Sequence, residues 1–168
     1  GSTLIDEDGT EYIDFFSGAG TLNYGHNNPV LKEKLLEYVQ ADGVVHGLDM
    51  ATSAKKRFLE TVDRVLLKPR NWQYTLQFTG PTGTNAVEAA LKIARQVKGR
   101  PNVISFTHGF HGVTGGSLAA TANMKFRDAA GYALGNTTFM PYDGYFGPDV
   151  DTMAYMERML EDPSSGMD

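Results

Sequence analysis

Apolar and polar positions divide the chain into short β-like pairs at the start and then into segments with a helical repeat. Leu4-Ile5 and Tyr12-Ile13 flank Asp6-Glu7-Asp8-Gly9-Thr10. An Asp-Gly step between β-rich pairs predicts a hairpin, because both residues tolerate left-handed backbone. Residues 17–20 and 25–29 are rich in turn formers, and Asn28 followed by Pro29 suits a helix N-cap and first helical position. From Val30 onward Leu31, Leu35, Tyr38 and Val39 recur at helical spacing, with Gly43 as the expected stop. A second helical stripe of Phe58, Val62, Val65 and Leu66 is expected to close at Lys68-Pro69. The two helices are expected to pack on a core.

The pattern then becomes strand, loop, helix, strand. Tyr74-Thr75-Leu76-Gln77-Phe78 reads as a strand, residues 79–85 as a loop, and residues 86–98 as a helix ending at Gly99. Asn102-Val103-Ile104-Ser105-Phe106 reads as the next strand, and a helix of that length between two strands predicts a right-handed parallel crossover. Residues 107–116 form a glycine-rich loop running into a short helix at Ser117-Leu118-Ala119-Ala120. Residues 123–135 read as irregular, Thr137-Thr138-Phe139-Met140 as a short strand, and Met153, Met156, Met159 and Leu160 as the core-facing stripe of a last helix. The expected division is residues 1–70, a hairpin with helices, and residues 71–168, an α/β domain with a mainly parallel sheet.

Composition changes this picture little. A chain of 168 residues with 41% hydrophobic and 21% charged residues is ordinary for a globular protein. The formal charge of −5 is spread among both signs, with no basic stripe to follow a phosphate backbone, so no nucleic-acid partner is expected. No run approaches the ~20 apolar residues that span a bilayer, and no secretion signal opens the chain, so a cytoplasmic location without membrane contact is expected. The absence of cysteine removes disulfides and thiolate chemistry. Gly1-Ser2 and the polar stretch at residues 164–168 read as the ends of a piece of something longer.

Two loops carry candidate chemistry. Thr79-Gly80-Pro81-Thr82-Gly83-Thr84-Asn85 joins a strand to a helix N-terminus, where small residues allow backbone N–H groups to approach an anion and the helix dipole favours negative charge. It lacks the ending of a P-loop and the spacing of a dinucleotide fingerprint. On spacing alone it reads equally as an anion site or as a plain strand-to-helix turn. Thr107-His108-Gly109-Phe110-His111-Gly112-Val113-Thr114 follows the next strand and should open at the same sheet edge, where an aromatic ring can stack on a flat ligand. Taken by itself, it reads better as a loop anchored by a buried Phe110. His108 and His111 are three apart but have no carboxylate or cysteine at ligand spacing, so no metal is expected. His26 sits in a turn and suits hydrogen bonding to its neighbours.

Read together, the loops resemble the class III aminotransferases of pyridoxal-phosphate fold type I. The family motif Ser-Gly-Ser/Thr-Glu-Ala-Asn-Glu-Ala-Ala before a helix is matched by Thr82-Gly83-Thr84-Asn85-Ala86-Val87-Glu88-Ala89-Ala90. Its aromatic-His-Gly-x-Thr motif is matched by Phe110-His111-Gly112-Val113-Thr114. The family's N-terminal pattern is similar to Asp8 with Tyr12-Ile13-Asp14, Ser17-Gly18, and Gly25-His26 with Pro29. The resemblance implies an α/β fold with a three-layer, mainly parallel sheet like the family's large domain, present here in truncated form. It implies pyridoxal 5'-phosphate as cofactor, its phosphate held at Gly83 and Thr84 and its ring stacked by Phe110 with His111 alongside. Thr82 and Asn85 are second choices, and Asn85, which stands where many members carry glutamate, is carried over as a backbone position only. By weaker analogy residues 17–20 lie near the substrate.

Within the family the resemblance is closer to members serving ectoine biosynthesis, through Asp14-Phe15-Phe16, residues 20–28, residues 79–85 and Met140-Pro141-Tyr142-Asp143-Gly144-Tyr145-Phe146. It implies small-molecule partners, with glutamate as amino donor, aspartate 4-semialdehyde as acceptor and L-2,4-diaminobutyrate as product, and a homodimer or higher homo-oligomer. The covalent cofactor lysine has no counterpart, since Lys32, Lys34, Lys55, Lys56, Lys68, Lys92, Lys98 and Lys125 all lack the family context. Nor is there an aspartate to pair with the pyridinium nitrogen. No catalytic residue is therefore assigned, and the chain alone is expected to be inactive. Two further readings stand beside this one, a non-catalytic module for another phosphorylated ligand and a different class III omega-aminotransferase.

Overall fold

The computed structural model of the chain describes residues 1–167; Asp168, the last residue of the expected second domain, lies outside them. The backbone forms two compact units, Gly1–Leu76 and Gln77–Asp168.

In the first unit β1 (Thr3–Ile5) and β2 (Glu11–Ile13) pair antiparallel, Thr3 opposite Ile13 and Ile5 opposite Glu11. Asp6 builds the turn: its carboxylate accepts the N–H groups of Asp8 and Thr10, and Gly9 takes the left-handed position at φ 83°. The predicted hairpin is thus observed. Next comes α1 (Ser17–Gly20), a single left-handed turn in which four consecutive residues have φ between 49° and 87°.

Helix α2 (Pro29–Gln40) starts as the sequence predicts, with the Asn28 side chain accepting the N–H groups of Val30 and Leu31. Its stop differs. Asp42, not Gly43, takes the left-handed conformation at φ 53°. Gly43 is needed for space, since a Cβ there would enter the Tyr38 ring. Helix α3 (Ser53–Val62), capped by Thr52, does not close at Lys68-Pro69. It widens to a π-turn over Asp63–Leu67, tightens to a 3₁₀ turn over Lys68–Arg70 that includes Pro69, and ends at left-handed Asn71.

The expected core between α2 and α3 is not formed. Leu35 is 63% exposed, Val39 51% and Phe58 51%. The total accessible surface is 13406 Å², whereas a compact monomer of 18.3 kDa exposes about 8,000 Å² and two separate compact halves about 10,000 Å² together. The apolar stripes have the right period, but most of their side chains stay exposed.

The second unit holds α4 (Gly83–Lys98), β3 (Val103–Phe106), α5 (Gly115–Ala120), α6 (Met124–Arg127), β4 (Thr137–Met140) and α7 (Thr152–Glu161). Helix α4 ends where expected, at Gly99 with φ 66°, but begins earlier than the spacing predicts, at Gly83. Strands β3 and β4 are parallel, Val103 opposite Thr137 and Phe106 opposite Met140, with α5 and α6 in the crossover. Residues 74–78, the other expected strand, join no ladder among the described residues, so the parallel pairing is not the one predicted. A strand needs a neighbour to accept its backbone groups, and β4 supplies one only to β3.

The small core sits around α5. Leu118, Ala119, Ala120 and Met140 are buried together with the polar residues Ser105, Ser117, Thr121 and Thr152. Each of the first three polar groups is satisfied. The Ser105 hydroxyl donates to Ala120 O at 2.6 Å, Ser117 donates to Thr84 O at 3.2 Å, and Thr121 accepts the His111 N–H at 2.9 Å. The Arg127 guanidinium closes the C-terminal end of α5, donating to the carbonyls of Leu118, Ala119 and Thr121 at 2.6 to 3.1 Å. Residues 123–135, expected to be irregular, therefore contain α6 and a 3₁₀ turn. Of the expected methionine stripe on α7, Met156 and Met159 are half-buried and Met153 is exposed.

Candidate functional site

The first turn of α4 and the loop at residues 107–114 meet in the second unit. Thr82 is the N-cap of α4, its hydroxyl accepting the Asn85 N–H at 3.3 Å. The next two backbone N–H groups, of Gly83 and Thr84, are first-turn donors without a partner among the described residues. Apart from its chain neighbours and the backbone of its own helix, no heavy atom of the described residues lies within 4 Å of where a Cβ of Gly83 would stand. The chain's own packing thus does not demand glycine there, and the open space adjoins the free donors.

Thr84 faces the loop. Its hydroxyl lies 2.6 Å from the Thr114 hydroxyl, and a Cβ on Gly112, which has φ 130°, would overlap the Thr84 side chain. Thr114 in turn donates to Glu88 Oε1 at 2.7 Å, and the Ser117 N–H donates to the same oxygen at 3.0 Å. These bonds, the Ser117 N–H foremost and the Thr114 hydroxyl next, hold the Glu88 carboxyl below its ordinary value of 4.5. Thr84 and Glu88 are four apart on one helix face, a spacing visible in the sequence, but their partners 26 to 30 residues away are not. Sequence reasoning accordingly missed Glu88 and Ser117.

Phe110 is 59% exposed, with its ring edge-on to Phe126 at 5.3 Å between centroids. It is not a buried anchor for the loop. The loop is anchored by its backbone instead, His111 N–H bonding Thr121 and Thr121 lying 2.9 Å from Gly112 O and 3.0 Å from Ser117 O. His111 is exposed and its ring lies over Gly109. The structure thus brings Thr84 together with Gly112 and Thr114, the neighbours of Phe110 and His111. Of the second-choice residues, Thr82 acts as a helix cap, and the Asn85 side chain sits against Gly80, whose φ is 101°. Lys34, Lys56 and Lys68 are exposed and paired with Glu37, Glu60 and Asp63.

A helix N-terminus with two free N–H donors, tied through Thr84 to a loop that carries an exposed aromatic ring, is an arrangement able to receive a phosphate-bearing planar ligand. The family model for class-III aminotransferases matches residues 1–162, and the chain belongs to that family. It is 89% identical over 168 residues to a diaminobutyrate–2-oxoglutarate transaminase of Bordetella parapertussis and 58% identical over 166 residues to one of Halomonas elongata. All 168 residues match in the first case and 98% of the chain in the second, and the chain spans about 39% of the length of these relatives. Among solved structures it is similar to an S-selective transaminase from Arthrobacter sp., with a TM-score of 0.84 and 27% identity over 96% of this chain and 38% of that one. It is also similar to a lysine aminotransferase from M. tuberculosis, with a TM-score of 0.69 and 30% identity over 94% of this chain and 40% of that one.

Proposed function

We propose that this chain is the phosphate-cup half of the active site of a pyridoxal-phosphate-dependent transaminase that moves an amino group from glutamate to aspartate 4-semialdehyde, giving L-2,4-diaminobutyrate. The observation that carries the cofactor reading is the pair of N–H groups at Gly83 and Thr84, unpartnered among the described residues, at the N-terminus of α4. The high identity to diaminobutyrate–2-oxoglutarate transaminases supports the substrate pair.

The residues present fit the cofactor. Gly83 and Thr84 would donate their N–H groups to its phosphate, and the α4 dipole would favour the negative charge. Phe110, exposed on a loop fixed by Thr121, would cover one face of its ring, with His111 alongside. When bound, pyridoxal phosphate supplies the electron sink for amino transfer. The residues of this chain bind and orient; none of its lysines has the setting of the covalent cofactor lysine. In the intact protein a subunit interface would complete the site, which makes the working unit at least a homodimer, with a cytoplasmic location. Among the described residues no helix is long and apolar enough to cross a membrane.

The test is made on the intact protein that carries this chain. Adding pyridoxal phosphate to the apo form should produce a visible absorption band, and borohydride should then fix the cofactor to a lysine. 2,4-Diaminobutyrate with 2-oxoglutarate should yield glutamate. No band and no fixed label would sink the cofactor reading, whereas a band without turnover of 2,4-diaminobutyrate would withdraw only the substrate assignment.

A further inference from the structure

The hydrogen bonds that run from Glu88 to Thr84 have a direction. An ionised carboxylate only accepts, so the Thr114 hydroxyl, 2.7 Å from Glu88 Oε1, donates to it. Thr114 Oγ1 then accepts from the Thr84 hydroxyl at 2.6 Å. The Thr84 proton is drawn toward the loop and away from the helix N-terminus, which leaves the backbone N–H groups of Gly83 and Thr84 as the donors there. The low Glu88 carboxyl value, caused first by the Ser117 N–H, keeps this acceptor ionised.

Three segments meet on this one side chain: α4, the loop at residues 107–114 and the start of α5. Two glycines allow the approach. A Cβ on Gly112 would enter the Thr84 side chain, and one on Gly116 would come within 2.6 Å of Glu88 Oε2. The charge of Glu88 cannot account for its place, because a carboxylate one helical turn from a phosphate site is repulsive toward the ligand.

We propose that Glu88 is a positioning residue for the cofactor phosphate: through Thr114 and Ser117 it holds Thr84 and the first turn of α4 in place, while the loop bearing Phe110 and His111 stays tied by Thr121. This rests on the pyridoxal-phosphate reading above. Glu88 contacts no ligand atom; it acts by holding Thr84 and the loop in register.

The sign of the effect separates positioning from charge. Affinities of the intact apo-protein for pyridoxal 5'-phosphate and for unphosphorylated pyridoxal are measured by titration for wild type, Glu88→Ala, Glu88→Gln and Thr114→Val. Glu88→Ala and Thr114→Val are expected to weaken pyridoxal phosphate about tenfold while moving pyridoxal by less than about twofold, the loss of one well-placed hydrogen bond. Glu88→Gln keeps the Oε1 acceptor without the charge and should bind the phosphorylated form as tightly as wild type or tighter. Exposed Thr114 keeps the test open should Glu88→Ala fail to fold. Equal weakening of both ligands, or tighter phosphate binding in Glu88→Ala, would overturn the proposal. A wild-type protein with no preference for the phosphorylated ligand would overturn the cofactor reading itself. A wild-type preference that survives intact in Glu88→Ala and Thr114→Val would overturn only the role of Glu88.

Discussion

Asp14 Oδ2 and His26 Nε2 lie 2.6 Å apart across twelve residues of sequence, and the other oxygen of Asp14 accepts the N–H groups of Phe16 and Ser17, each at 2.9 Å. One carboxylate thus ties the entry of the left-handed turn α1 to the loop that leads into α2. The Ser17 N–H, and then His26, hold the Asp14 carboxyl below its ordinary value of 3.8. A carboxyl lowered by folding contributes stability that is fully present above 3.8 and is lost as pH falls through its value in the fold. Asp14→Asn should therefore cost stability near neutral pH, and its difference from wild type should shrink as pH drops below 3.8. Urea midpoints of the intact protein against pH would check this, and parallel curves would refute it.

Ala19, at φ 56°, is a non-glycine residue inside the left-handed turn. Left-handed backbone costs an L-residue with a Cβ about 1 kcal/mol, so Ala19→Gly should stabilise the intact protein by a few tenths up to ~1 kcal/mol despite the added chain entropy of glycine. Gly18→Ala should act in the opposite sense, because its Cβ would also come within 2.7 Å of Thr21 Oγ1. Thermal unfolding of the two variants should give shifts of opposite sign.

Gly83→Val separates ligand binding from folding. Beyond its chain neighbours and its own helix backbone, none of the described residues lies within 4 Å of the new Cβ, so stability should hold or rise by up to ~1 kcal/mol, as replacing a helical glycine does. Pyridoxal phosphate binding should weaken at least about tenfold, because the branched side chain fills the space before the two free N–H groups. Spectral titration together with thermal melting reads both; unchanged affinity would reduce the loop to a turn.

Thr121 is fully buried and receives the His111 N–H. Thr121→Val keeps the volume but strands that donor, with an expected cost of about 1–3 kcal/mol. Hydrogen exchange at the His111 amide should speed up in the variant. An amide protected as in wild type would show that the loop is held by other contacts.

Much of this was legible locally. The capping of α2 by Asn28 and the Asp6 turn follow from side chains that bond backbone within four residues, and the end of α4 from the left-handed freedom of Gly99, all of which a sequence displays; the Thr82 cap, which starts α4 three residues early, was not read. The candidate residues Gly83, Thr84, Phe110 and His111 were reached through a motif resemblance, and the exposure of Phe110 was not foreseen. Helical periodicity was right for α2 and α3, yet it said nothing about whether a partner covers the stripe, and here Leu35 and Phe58 stay exposed.

The sequence by itself determined the hairpin, the bodies of α2, α3, α4 and α7, the Asn28 cap and the Gly99 stop, because each rests on hydrogen bonds or periodicity spanning a few residues. Only the tertiary structure decided that β3 pairs with β4 rather than with residues 74–78, that Glu88 reaches Thr114 and Ser117, and that Asp14 meets His26. Ladder partners and side-chain bonds over 12 to 34 residues leave no period in the chain, and their formation depends on how the elements pack.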